Sequence, residues 1–341
     1  MINSLQHIGQ GVWDIDVTYD FYRKYFGFKL KLNDLTIADE DMAQVIGSVE
    51  TIRTLMALNA KGGGVLELVE HKSSPIKPRL EEGGYGNYGI LEVGYGVRNI
   101  DDVISDFKNQ GLHMLTQVYE IALMGGERWR YAYLQDPDGL ILQLVEDVKP
   151  DRPLGKKPEV QGVVHVGMGV SNLERSRMFY ESVLGFDKLL YEFHGLIPGM
   201  EEIIGSPLPM KLAILERSGS VRLPANFLPA GTIKLFEVPE YKGKHIYQGR
   251  RWGDIGCMEL SMDVSNLEAV IAEINATGVE IYLPPVEIDM GSGSKGMIAY
   301  IRDPDGTIIE LVEVKTVAWV SLSTFMRFVI PLLKVYDRLT G

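Results

Sequence analysis

Two histidines and two glutamates occupy matching places in a pattern that the chain repeats four times. His7 and His165 open the first and third copies, and Glu92 and Glu259 open the second and fourth. Imidazole and carboxylate groups together suit divalent zinc, iron, manganese, cobalt or nickel. A lone histidine at the start of a strand is more often structural, but recurrence at equivalent places leaves the structural role and the role of metal ligand equally open.

Carboxylates inside apolar runs form a second group of candidates. Glu67 lies in LELVE and Glu310 in IELVE, whereas the corresponding runs carry Gln143 and Lys234. In a half-exposed strand such a residue would simply face solvent. A lysine at a ligand position supplies an ammonium group, which repels a cation. The glutamates three residues further along each run are predicted to face the other way and to be solvated: Glu70, Glu146, Glu237 and Glu313.

Each copy of the pattern predicts a strand, a helix and several further strands. The opening residues alternate in character, as in a strand. Polar residues before the helical stretches predict N-caps at Asp14, Asn99, Asn172 and Asn266. Glycines predict helix ends in the left-handed conformation at Gly27, Gly111, Gly185 and Gly278. Copies two and four contain Asp-Pro-Asp-Gly between two hydrophobic runs, which predicts a turn before the last strand.

This repeating unit, with FYRKYFGF or FYESVLGF after its first strand and DPDG before its last, resembles the vicinal oxygen chelate superfamily. That superfamily includes glyoxalase I, extradiol dioxygenases and bleomycin-sequestering proteins. The resemblance implies an α+β fold in which four βαβββ modules pair into two cupped mixed β-sheets with the helices outside. We expect modules one and two within 1–147, modules three and four within 161–315, and a C-terminal helical extension over 316–341.

The resemblance also implies that metal ligands come from the first and last strands of each module. Two pairings of the modules are open. Pairing of neighbours gives the sets His7, Glu67, Glu92, Gln143 and His165, Lys234, Glu259, Glu310. Pairing of the first module with the last gives His7, Glu67, Glu259, Glu310 and Glu92, Gln143, His165, Lys234. The second arrangement is favoured because it collects the intact ligands in one cup. The predicted metal ligands are His7, Glu67, Glu259, Glu310 and His165.

The expected activity is that of an isomerase, epimerase or lyase that acts on a small hydroxy-carbonyl substrate through a metal-stabilised enediolate. A divalent ion (zinc, manganese, iron, cobalt or nickel) would be the cofactor, and Glu310 or Glu67 would be the catalytic base. Trp252, Tyr300 and Arg128 are predicted to contact the substrate. Two alternatives are an extradiol-type Fe(II) ring-cleaving dioxygenase and a non-enzymatic protein that binds a drug or toxin.

Composition limits the other classes of function. The net charge of −12 over 341 residues argues against nucleic acid as a partner. The single cysteine, Cys257, excludes an internal disulfide and a thiolate zinc site, which fits a reducing cytoplasm. The apolar segment 317–339 is interrupted by Arg327 and Pro331, so we predict a helix packed on the core, on a partner subunit or over the site, and not a membrane span. A homodimer would be compatible with such a helix.

Overall fold

The structure is a computed structural model that describes residues 1–38, 43, 50–80, 84–148, 157–219, 231–291, 293–317, 320–321 and 332. Module one contains β1 (Ile2–Gly11), α1 (Ile15–Tyr25), β2 (Leu30–Ala38), β3 (Thr51–Leu58) and β4 (Val65–His71). Module two contains β5 (Gly89–Arg98), α2 (Ile100–Asn109), β6 (Tyr119–Ala122), β7 (Arg128–Gln135) and β8 (Ile141–Val148). Module three contains β9 (Glu159–Gly169), α3 (Leu173–Ser182), β10 (Lys188–Gly195), α4 (Met200–Ile204), β11 (Met210–Glu216) and β12 (Thr232–Glu237). Module four contains β13 (Gly256–Val264), α5 (Leu267–Ala276), β14 (Ile281–Gly291), β15 (Ser294–Arg302) and β16 (Ile308–Val317), and β17 (Val320–Ser321) follows.

These elements form two mixed sheets, each built from two modules. The first sheet has the strand order β14-β15-β16-β13-β1-β4-β3-β2, with β17 paired to β16, and the second has the order β10-β11-β12-β9-β5-β8-β7-β6. The modules meet through antiparallel pairs, β1 with β13 and β5 with β9. Module one therefore pairs with module four, and module two with module three. The predicted α+β fold of four modules in two mixed sheets is confirmed, and each sheet takes one module from each half of the chain.

The inner face of each sheet carries its own cluster of buried side chains. We call the inner face of the first sheet the first cup, with Ile52, Val69, Met258, Ile298, Tyr300 and Val312 in its wall. The inner face of the second sheet is the second cup, with Leu91, Trp129, Tyr131, Tyr133, Met210 and Phe236 in its wall. A larger apolar cluster joins the helices to the outer faces of both sheets. Apolar side chains on both faces thus fix the two sheets in place.

The helix boundaries follow the capping pattern in the sequence. The predicted N-caps of α1, α2, α3 and α5 are confirmed at Asp14, Asn99, Asn172 and Asn266. The Asp14 carboxylate, for example, accepts hydrogen bonds from the backbone N–H groups of Asp16 and Val17. The glycines after these helices have φ of 69°, 88°, 73° and 81°, which only glycine adopts readily: Gly27, Gly111, Gly185 and Gly278.

The glutamates that we predicted to be solvated instead contact the helix N-termini. Glu146 is fully buried, and its Oε1 accepts a hydrogen bond from the backbone N–H of Asn99 at 2.5 Å. The two carboxylate oxygens of Glu313 accept from Asn266 and Leu267, both at 3.0 Å. The equivalent pairs are Glu70 with Ile15 (3.2 Å) and Glu237 with Leu173 (2.7 Å). The prediction is wrong because the first N–H groups of a helix lack intrahelical partners and attract a carboxylate from the strand beside them.

The Asp-Pro-Asp-Gly turns join modules that do not share a sheet. Oδ2 of Asp136 in module two accepts hydrogen bonds from Tyr22 (3.0 Å) and Gln10 (2.5 Å) of module one. Oδ2 of Asp303 in module four accepts one from Tyr180 of module three at 2.9 Å. Strand pairing thus links module one to four and two to three, while the turns link one to two and three to four.

The C-terminal extension was predicted to be helical over 316–341. In the described residues, β16 continues to Val317, and β17 pairs with it through Thr316 and Ser321. The helix predicted for the rest of this extension lies outside the described residues. Among the helices that the structure describes, none is both long and apolar enough to cross a membrane.

Candidate metal centre

The first cup collects one polar side chain from each of its four central strands. These are His7 on β1, Glu67 on β4, Glu259 on β13 and Glu310 on β16. The strands are adjacent in the sheet. This is the set predicted for pairing of the first module with the last. Because all four residues stand on strands, their backbone positions are fixed by the hydrogen-bond ladder.

The donor atoms of these side chains converge on a small volume. Nε2 of His7 lies 3.1 Å from Oε2 of Glu67, 3.2 Å from Oε2 of Glu310 and 3.6 Å from Oε1 of Glu259. Ligand atoms of His7, Glu259 and Glu310 all lie within 4.8 Å of one another. Neighbouring ligands of an octahedral ion with bonds of about 2.1 Å are about 3 Å apart. The spacing therefore suits a divalent ion.

Several of these atoms have no hydrogen-bond partner among the described residues. They are Nε2 of His7, Oε2 of Glu259 and Oε2 of Glu310, and all three are buried. Nδ1 of His7 lies 2.7 Å from Oε1 of Gln6, an acceptor, so in the neutral imidazole this nitrogen donates and Nε2 presents its lone pair to the cup. Converging lone pairs without a donor are costly in a buried site. A cation, either a metal ion or a proton, would satisfy them.

The shifted pKa values of the residues in the first cup reflect the same excess of negative charge. Burial and repulsion by Glu310 raise the pKa of Glu259 to about 8. Burial raises the pKa of Glu310 as well, and the neighbouring Glu67 carboxylate adds to this shift. Burial alone would lower the pKa of His7, but its contacts with Glu259 and Glu67 outweigh it and raise that pKa well above the ordinary value. The cup thus favours an added positive charge.

Other side chains hold the ligands in place or form the wall. The hydroxyl of Tyr300 donates a hydrogen bond to Oε1 of Glu310 at 3.1 Å. Gly9 leaves room for Glu259, since a Cβ there would lie 2.7 Å from Cγ of that glutamate and closer still to Oε1. Trp252 is buried beside the cup, and its indole Nε1 has no partner among the described residues. Trp252 also lines a cavity of about 480 Å³ that reaches Met258.

The second cup holds the equivalent positions but a different charge pattern. Nζ of Lys234 lies 2.8 Å from Oε1 of Glu92 and 2.7 Å from the hydroxyl of Tyr133. Nε2 of His165 is 3.7 Å from the same Glu92 oxygen. Burial opposes ionisation of Glu92, but the Lys234 ammonium and His165 hold its pKa down at about 2. A lysine ammonium already neutralises this cup, so its residues do not fit a metal ion.

The predicted site residues thus fall into separate places. His7, Glu67, Glu259 and Glu310 meet in the first cup, and Tyr300 and Trp252 border it. His165 lies in the second cup, stacked on Trp129. Arg128 lies at the start of β7 in the second sheet, where it is exposed and forms an ion pair with Glu120 at 3.0 Å. The role of Gln6 was missed, although its position next to a candidate ligand could have suggested it.

Comparison with known proteins relates the second half of the chain to a known superfamily. A sequence profile of the Glyoxalase/Bleomycin resistance protein/Dioxygenase superfamily matches residues 162–311. A search of curated proteins finds no match. The matched residues span most of modules three and four, and modules one and two repeat the same arrangement of strands and helix.

Solved structures with a similar fold include a glyoxalase I and a proposed dioxygenase. Glyoxalase I from Zea mays is 19% identical with a TM-score of 0.56, over 91% of this chain and 92% of that chain. A single-residue mutant of the same enzyme is 20% identical with the same TM-score and the same coverage. A proposed dioxygenase from Bacillus subtilis is 14% identical with a TM-score of 0.58, over 92% of this chain and 85% of that chain. At these identities the likeness shows a shared fold.

Proposed function

We propose that the protein is a divalent-metal-dependent isomerase, epimerase or lyase that moves a proton next to the carbonyl of a small hydroxy-carbonyl substrate. The observation that carries the proposal is the convergence of one imidazole and three carboxylates in the first cup. His7, Glu259 and Glu310 would hold the ion, with Glu67 beside them. Such an ion supplies Lewis-acid polarisation of two adjacent substrate oxygens when it is bound.

The side chains themselves divide the remaining tasks. Glu259 is the most deeply buried carboxylate, at 1% exposure, whereas the Glu67 and Glu310 side chains are 12% and 8% exposed. Glu67 and Glu310 therefore border the open side of the cup, where a substrate carbon would lie. Burial raises the pKa of Glu310, which suits a general base, and the Tyr300 hydroxyl keeps that carboxylate in one orientation. We assign Glu310 the role of base: its carboxylate would leave the ion, take the proton from the substrate carbon and return it to the substrate, while Glu67 would take its place among the ligands.

The wall of the cup would hold the substrate and limit the access of water. Trp252 offers an apolar face and an indole N–H without a partner among the described residues, which suits a substrate oxygen. Tyr300 belongs to the same buried cluster as Trp252. Ring cleavage by Fe(II) typically uses two histidines and one carboxylate. Within the described residues, the one group of clustered ligands contains a single histidine, His7, so we favour proton transfer.

The test combines metal content with exchange of carbon-bound hydrogen. Protein loaded with Mn²⁺, Co²⁺, Ni²⁺ or Zn²⁺ is dialysed, analysed for metal and incubated in D₂O with a panel of small α-hydroxy aldehydes and ketones. We expect one bound ion and deuterium incorporation next to the carbonyl, both lost in Glu310→Ala. Gln143→Ala, the equivalent change in the second cup, should leave both intact. Bound metal without exchange on any substrate would count against the proposed reaction, and no bound metal would favour a binding protein.

A further inference from the structure

The second cup reproduces the layout of the first with two changes of charge: a lysine replaces one glutamate and a neutral glutamine replaces another. Tyr300 on β15 is paired with Glu310 on the adjacent strand β16. Tyr133 on β7 is paired in the same way with Gln143 on β8. Glu92 occupies the first-strand position that Glu259 has in the first cup, and His165 the position of His7. Lys234 on β12 is then the counterpart of Glu67 on β4. An ammonium group stands where the first cup has a carboxylate.

Lys234 is buried among groups that attract a cation, and these oppose the effect of burial, which lowers the pKa of its ammonium. The residue is 3% exposed, and its Nζ contacts the Glu92 carboxylate and the Tyr133 hydroxyl. Nζ also lies 4.7 Å from the ring centroid of Phe236 and 5.9 Å from that of Tyr131. Aromatic faces at such distances attract a cation. The charge of Lys234 is therefore compensated within the cup.

Three further atoms of the second cup that could bind a metal ion have no hydrogen-bond partner among the described residues. They are both ring nitrogens of His165 and Oε1 of Gln143, and all three are buried. Gly94 leaves the space for this imidazole, since a Cβ there would overlap its Cε1 and both of its ring nitrogens. Imidazole nitrogen and amide oxygen are both metal-ligand types. The second cup thus contains possible metal ligands close to the ammonium group of Lys234.

The second cup is also covered by part of module three. Met200 at the start of α4 and the preceding Ile197 belong to the buried cluster of this cup. The backbone carbonyl of Pro198 accepts a hydrogen bond from Tyr131 at 3.0 Å, and Glu202 accepts one from Tyr119. This cover packs on the aromatic wall beside Lys234.

We propose that the ammonium of Lys234 takes the place of a metal ion in the second cup, so that the second cup is a metal-free, internally paired counterpart of the first. Removal of the ammonium would expose the ligand set of Glu92, His165 and Gln143 to a second ion. This inference concerns the second cup and does not depend on the reaction proposed for the first.

The experiment counts bound ions in full-length variants loaded with Co²⁺ and dialysed, by elemental analysis and by the visible absorption of bound Co²⁺. We expect one ion in the wild type and none in Glu310→Ala. The double variant Glu310→Ala with Lys234→Glu should regain one ion, because Glu92, His165 and the new carboxylate then coordinate it. Lys188→Glu, the same charge change on the exposed end of β10, should add none to the Glu310→Ala background.

The outcomes separate this inference from the proposed function. Two ions in the wild type would overturn the inference, as would a folded double variant without metal. A wild type without metal, together with one ion in Lys234→Glu, would refute the proposed function and support the inference. If Lys234→Glu does not fold, the inference can be tested with Glu67→Lys, which places a lysine at the equivalent position of the first cup. It should fold with an internal pair to Glu259 and bind no ion, and retention of one ion would overturn the inference.

Discussion

Single residues around the first cup determine how firmly its ligands are held. Tyr300 fixes the Glu310 carboxylate through a hydrogen bond of 3.1 Å. Residues that orient metal ligands typically contribute about 10- to 100-fold to metal affinity. We therefore expect Tyr300→Phe to weaken Mn²⁺ or Zn²⁺ binding by about 10-fold or more, as measured by competition with a chelating dye. Tyr133→Phe removes the equivalent hydroxyl from the second cup and should leave this affinity unchanged, and an equal loss in both variants would contradict the assignment.

The absence of a side chain at Gly9 is a second requirement at this scale. A Cβ there would come within 2.7 Å of Cγ of Glu259 and closer to its Oε1, so the glutamate would have to leave the cup. Gly9→Ala should therefore abolish stoichiometric metal binding while circular dichroism still shows a folded protein. Gly94→Ala produces the same clash with His165 in the second cup. It should lower thermal stability but retain the ion, and the reverse pattern would refute our placement of the metal.

Much of the ligand geometry could be predicted at the residue scale, and the missing part has a physical cause. Repeat positions predicted His7, Glu67, Glu259 and Glu310, and the structure brings them together in one cup. His165 belonged to the same predicted ligand set, but the sheet places it beside Lys234. Only the chemistry of the ligand positions indicated that module one faces module four, because contacts between distant segments leave no local signal in the sequence.

At the scale of elements, carboxylates on the last strand of each module accept hydrogen bonds from the N-terminus of a helix. The alternation of polar and apolar residues in the sequence did not predict these contacts. Glu146 illustrates this, because burial in β8 and a bond to the Asn99 N–H both depend on where α2 packs. Arg130 forms a further ion pair with it at 3.1 Å. Glu146→Gln keeps the shape but removes the charge at the helix N-terminus, and should lower the free energy of unfolding by about 1–2 kcal/mol in urea titrations. Glu216→Gln on an exposed strand end is the control and should change it little.

An aspartate of the second Asp-Pro-Asp-Gly turn, Asp303, should make the stability of the protein depend on pH. Burial raises the pKa of Asp303 to about 6, above the ordinary value of 3.8. Folding therefore favours the protonated form, so this residue should add stability as the pH falls from about 7 to about 5 and lose that contribution as the pH rises through 6. We expect Asp303→Asn to flatten this part of the curve of unfolding free energy against pH. An unchanged slope would show that Asp303 is not the titrating group.

On the scale of the whole molecule, each half of the chain carries only half of each cup. His7 and Glu67 lie before the segment 149–156, and Glu259 and Glu310 lie after it. Fragments 1–148 and 149–341, produced separately, should bind no metal. Mixed during refolding, they should form a 1:1 complex that binds one ion, because β1 pairs with β13 and β5 with β9. Sedimentation analysis and metal content would check this, and stoichiometric metal in the second fragment alone would contradict it.

The crossing of the modules also sets the order in which a chain growing on the ribosome can complete its parts. The second sheet uses strands from β5 to β12, so its last strand emerges well before the final strands of the first sheet. With Lys234 supplying the positive charge, the second sheet can close without waiting for an ion. His7, although made first, has to wait for Glu310, and closing so long a loop carries a large entropic cost. The ion would therefore bind last. It would join modules one and four after the second sheet, formed by modules two and three, has already folded.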